Sequence, residues 1–108
     1  MKATTRDVND IAIIKVEGKI TIGAGDQQLR DVIASAASKK ILLDLSGVTT
    51  IDSSGIGELV GSYTTVTNKG GRLKLLHLPA KLNELLHVTQ LITVFEVYEN
   101  EEEALGSF

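Results

Sequence analysis

A single α/β domain, with a mixed and mostly parallel sheet behind an N-terminal β-hairpin and about four helices packed on it, is what this sequence predicts. Three observations lead there. The run Ile41-Leu-Leu-Asp-Leu45 is continuously apolar, as in a strand covered on both faces. Strand-like and helix-like patterns alternate after the first twenty residues, which is the order that builds parallel sheets. The chain has 108 residues, 43% of them hydrophobic and only 4% aromatic, so one core of Ile, Leu, Val and Ala is what it can build. We therefore expect residues 1–108 to form one domain.

Taken in order, Thr4 to Val8 and Ile11 to Glu17 read as two strands joined by the turn pair Asn9-Asp10, with Gly18 closing the second. After a glycine-containing loop, Thr21-Ile-Gly-Ala-Gly25, the residues Leu29, Val32, Ile33, Ala36 and Ala37 recur at helical spacing, and Asp26 suits a helix N-terminus. Ile41 to Leu45 is then expected in the middle of the sheet. A tight loop leads from it to Asp52-Ser53-Ser54-Gly55, and a helix follows to about Asn68 with Ile56, Leu59, Val60, Tyr63 and Val66 on one stripe. Gly70-Gly71 ends that helix, Leu73 to Leu78 forms a strand closed by Pro79, and Leu82, Leu85 and Leu86 face inward from a short helix. A strand near Val94 to Tyr98 and an amphipathic helix from Glu101, with acids at its start, complete the chain.

Composition removes several function classes. The net charge is −3 and the eleven Lys and Arg residues are scattered, which argues against a phosphate-tracking nucleic-acid surface. No cysteine is present, so neither a disulfide framework nor a thiolate nucleophile can form. Neither a signal-peptide core nor an apolar run long enough to span a bilayer occurs, and the expectation is a cytoplasmic protein without membrane insertion. His77 and His87 lie outside any metal-ligand spacing, Gly23-Ala-Gly25 lacks the rest of a phosphate loop, and nothing places a histidine beside a serine for catalysis. The sequence thus calls for no metal, no cofactor and no enzymatic activity.

What remains is Asp52-Ser53-Ser54-Gly55. By itself the tetrapeptide is an ordinary helix start, where serine is a favoured cap. Its surroundings narrow the reading: Asp44-Leu45-Ser46-Gly47-Val48 before it, then Ile51-Asp-Ser-Ser-Gly-Ile-Gly57, between a central strand and the second helix. With these motifs, and nearly end to end, the chain resembles the STAS domain, and within it the bacterial anti-sigma factor antagonists.

The resemblance implies a binding module. In that family the serine after the aspartate is phosphorylated by a partner that is both anti-sigma factor and serine kinase of the GHKL type, and a phosphatase, here of the PP2C type, reverses it. By position the phosphosite is Ser53, with Ser54 as second choice. The partner surface is expected on Asp52, Ser53, Ser54, Gly55, Gly57, Glu58 and Gly61, and on Thr21 in the earlier loop. Gly57 and Gly61 either admit a partner closely or ease packing on the sheet. Many relatives follow the hairpin glycine with an acid, an apolar residue and another acid or Asn. This chain has Gly18-Lys19-Ile20-Thr21, and its loop to Gly25 is a residue longer. The alternative is a STAS scaffold subunit of a stressosome-like or lipid-transport complex, in which the serines do not switch.

Overall fold

The computed structural model describes residues 1–108. Its elements are β1 (Lys2–Val8), β2 (Ile11–Ile20), α1 (Ala24–Ala34), β3 (Lys40–Ile51), α2 (Ser53–Asn68), β4 (Arg72–Leu76), α3 (Ala80–Val88), β5 (Val97–Tyr98) and α4 (Glu101–Gly106), with a 3-10 turn at Leu91–Thr93. The hairpin forms as expected. Asn9 and Asp10 take φ of 52° and 66°, the pair of left-handed residues that a two-residue turn needs to match strand twist. Val8 then lies opposite Ile11 in an antiparallel ladder.

The five strands lie in sequence order, β1-β2-β3-β4-β5, and every pairing after the hairpin is parallel. This puts β3 at the centre. Strand alternation sorts the side chains onto two faces. On one, Ile14, Val16, Ile41, Leu43, Leu45, Leu73 and Leu75 pack with Leu29 and Ile33 of α1, Ile56, Leu59 and Val66 of α2, and Leu82 and Leu86 of α3. On the other, Ile11, Ile13, Leu42 and Leu76 pack with Ala104 of α4. The last helix therefore covers the sheet alone on its side. It is held there by Lys74, whose ammonium donates to the Ser107 carbonyl at 2.8 Å and the Ser107 hydroxyl at 2.9 Å, pairs with Glu96 at 2.9 Å, and lies 4.8 Å from the Phe108 ring centre. Arg6 of β1 pairs with Glu101 at the start of α4.

Three elements differ from the sequence reading. Gly18 does not close β2: the strand continues to Ile20, and Gly18, at φ +97°, sits where the register with β3 shifts. Beyond that shift β2 still has a partner, because β3 runs on through Ser46 and Gly47 to Ile51 where a loop was expected, pairing Glu17 with Gly47 and Ile20 with Ile51. Ser-Gly looks like a turn, but Val48, Thr49, Thr50 and Ile51 are β-branched and suit a strand. Helix α1 stops at Ala34, so Ala36 and Ala37 lie outside it; the Ser35 hydroxyl donates to the Val32 carbonyl at that end. Smaller trims occur at β4, which ends at Leu76 because His77 is left-handed at φ 55°, and at β5, reduced to two residues after the 3-10 turn.

Candidate functional site

Both β2 and β3 end at the same level, Ile20 beside Ile51, and the chain turns at Asp52 into α2. Asp52 stays extended, at φ −109° and ψ −174°, which lets its side chain fold back over the helix start. One carboxylate oxygen accepts from the Gly55 N–H at 2.9 Å and the other from the Ile22 N–H at 3.0 Å. A single side chain thus caps α2 and fastens the loop between β2 and α1 to it. These donors, Ile22 first and Gly55 next, hold the Asp52 carboxyl below the ordinary aspartate range, so the group is charged at neutral pH.

Gly55 completes the corner. A Cβ there would stand 2.2 Å from the Ile20 carbonyl oxygen and 2.7 Å from Ile51 Cγ1, so only glycine lets the first turn of α2 rest on the end of β2. The capping residue is Asp52, and neither serine has that task. Ser53, first residue of the helix, is exposed; Ser54 is half-buried. The first backbone bond of the helix runs from the Ile56 N–H to the Asp52 carbonyl, which leaves the Ser53 and Ser54 N–H groups at the free end.

Along α2 the exposed residues Ser53, Gly57, Gly61, Thr64 and Asn68 follow one another at spacings of three and four. The line is small and uncharged. At Gly57 a Cβ would meet no atom within 4 Å, and at Gly61 only Glu58 Oε2 at 3.8 Å, so neither glycine is there to pack on the sheet. Glu58, the sole charged residue of the helix, points instead toward α1. Its side chain is 9% exposed, Arg30 donates to it at 2.7 and 2.8 Å, and the Ser62 hydroxyl lies 3.4 Å from its other oxygen. The hydrogen bond and charge of Glu58 raise the Arg30 pKa, and the ion pair itself bridges α1 and α2. Thr21 is half-buried at the end of β2, where its carbonyl accepts from the Asp26 N–H at 3.1 Å.

Two features escaped the sequence reading. Ser62 is buried beside Glu58, on the stripe already formed by Leu59 and Val66; its polarity hid it. Ile22 is 74% exposed, and its place was legible only once Asp52 was seen to bind its amide. Elsewhere, β4 leaves the sheet opposite Asp44, so Leu45–Ile51 has a strand neighbour on one side only. A groove of about 380 Å³ separates that edge from Pro79, Leu82, Leu85 and Val88. The His87 ring lies 2.8 Å from the Asn83 carbonyl oxygen, and no group of three or more His, Asp or Glu gathers to hold a metal ion. No helix is long and apolar enough to cross a membrane.

Comparison with known proteins adds the family. The STAS domain model matches residues 2–104. An anti-sigma F factor antagonist of Paenibacillus polymyxa is 26% identical over 88% of this chain and 84% of its own length. The anti-sigma-B factor antagonist of Bacillus subtilis is 29% identical over 87% of this chain and 86% of its own. Among solved structures, the Bacillus cell fate determinant SpoIIAA in its phosphorylated form superposes with a TM-score of 0.75 at 22% identity, covering 98% of both chains.

Proposed function

Because the chain is a member of the STAS domain family, we propose that it is an anti-sigma factor antagonist whose binding is switched at Ser53. Unphosphorylated, it captures a GHKL-type protein that is both anti-sigma factor and serine kinase, and so releases a sigma factor for transcription. The kinase phosphorylates Ser53 and lets the chain go; a PP2C-type phosphatase restores it. The names of the relatives above support the antagonist role, and a structural neighbour solved in unphosphorylated and phosphorylated forms supports the switch.

One observation carries the reading: Asp52 caps α2, so Ser53 stands exposed at the helix start with its hydroxyl free of that duty. A phosphate there adds a charge of about −1.5 to −2. The helix start tolerates it, since α2 has no acid in its first turn and the helix dipole favours negative charge there. A docked partner does not, because closing the contact would strip the phosphate of its hydration shell, and the phosphate with Asp52 beside it repels any acidic surface on the partner. The fold survives and the interface is lost. The uncharged line from Ser53 through Gly57 and Gly61 is the docking surface, and the missing side chains let a partner approach the backbone closely.

Two variants test this. Ser53→Ala should bind the kinase and resist phosphorylation, while Ser53→Asp should bind weakly. If both bind every GHKL-type anti-sigma kinase of the source organism as the native chain does, the switch is refuted and a scaffold role takes its place.

A further inference from the structure

Only two large apolar side chains stand well out in water, Ile22 at 74% exposure and Val88 at 75%. Val88 ends α3, but Ile22 is built into the Ser53 corner. Its N–H donates to Asp52 at 3.0 Å, through the same carboxylate that caps α2 at Gly55. On one side of it the Thr21 carbonyl is held by the Asp26 N–H; on the other, Gly23 at φ +102° turns the chain straight into α1. An isoleucine exposed on a backbone held at its own amide and at the preceding carbonyl gains nothing for folding, since it touches water. It does offer a partner apolar area with little conformational freedom left to lose on binding.

We infer that Ile22 is the specificity-determining contact of the partner surface: its side chain enters an apolar pocket on the protein that reads Ser53. This deepens the switch reading above and rests on it. Asp52 is the positioning residue, since it bonds the Ile22 amide and the start of α2 and so presents Ile22 and Ser53 as one rigid unit. A matching partner needs an apolar pocket next to the site that receives the Ser53 hydroxyl. A phosphate on Ser53 then places a hydrated charge at the mouth of that pocket, where closing the contact would require stripping its water.

The test compares the native chain with Ile22→Ser, Ile22→Leu and Val88→Ser. Affinity for the GHKL-type anti-sigma kinase that binds and phosphorylates the native chain is measured by calorimetry with ADP, beside the phosphorylation rate and the melting temperature. Ile22→Ser should weaken binding about 30-fold, as loss of one buried aliphatic side chain implies. Ile22→Leu should recover most of it, Val88→Ser should bind as the native chain does, and all three should melt close to it. Equal binding by Ile22→Ser and the native chain overturns the inference while leaving the switch intact. A native chain that no such kinase binds or phosphorylates removes the switch, and the inference with it.

Discussion

Replacing Gly57 by alanine should make the free domain more stable, an unusual outcome for a residue inside a functional surface. Gly57 lies in the second turn of α2, and a Cβ built there meets nothing within 4 Å. The gain is then the full difference in helix propensity, about 0.8–1 kcal/mol. For a domain of this size that corresponds to a rise in melting temperature of about 3 to 5 °C. Gly55→Ala, two residues earlier on the same helix, has the same propensity gain but drives a Cβ to 2.2 Å from the Ile20 carbonyl oxygen. Overpacking of this kind costs about 1–3 kcal/mol, so Gly55→Ala should melt below the native chain. Thermal and urea melts followed by circular dichroism read both variants, with an unchanged urea slope expected for Gly57→Ala. A lower midpoint for Gly57→Ala, or equal gains at the two positions, would refute the reasoning. If the glycine is kept for close approach, the stabilised variant should also bind its partner less well.

Asp52→Asn should cost stability at neutral pH and little in acid. The folded-state pKa of Asp52 is depressed, so its contribution is fully present above the ordinary aspartate value of about 3.9 and is lost as pH falls from there through the lower folded value; the gap in melting temperature between the two proteins should be constant from about pH 7 to 5 and narrow as pH falls to about 3. Lys74→Met removes the ammonium that donates to Ser107 and pairs with Glu96, and should lower stability by about 1.5–3 kcal/mol, with hydrogen exchange faster in α4 than in α2. No change in α4 exchange would mean that this helix is held by its apolar contacts alone.

The architecture was readable because its signals are periodic and local. Apolar alternation, the Asn9-Asp10 turn and the stripe Ile56-Leu59-Val66 each depend on near neighbours in sequence, and the structure keeps them. What was hidden depends on pairing across the sheet. Ser46-Gly47 reads as a turn until β2 is seen to continue past Gly18 and pair with it. Helix α4 looks like one more amphipathic helix, and only the two faces of the sheet set it apart from the other three. At the site, the motif was legible but its division of labour was not. A serine and an aspartate are both good caps, and the choice falls to Asp52 because its second oxygen finds the Ile22 amide, thirty residues away in sequence. That distant bond is what leaves Ser53 exposed for another role.

The most direct test of the switch is chemical. The native chain is incubated with ATP and each GHKL-type anti-sigma kinase of the source organism, and the peptide carrying Ser53 and Ser54 is sequenced by mass spectrometry. The account predicts one phosphate, on Ser53, absent from Ser53→Ala and removed by a PP2C-type phosphatase. A phosphate on another residue, or none with any of these kinases, would contradict it.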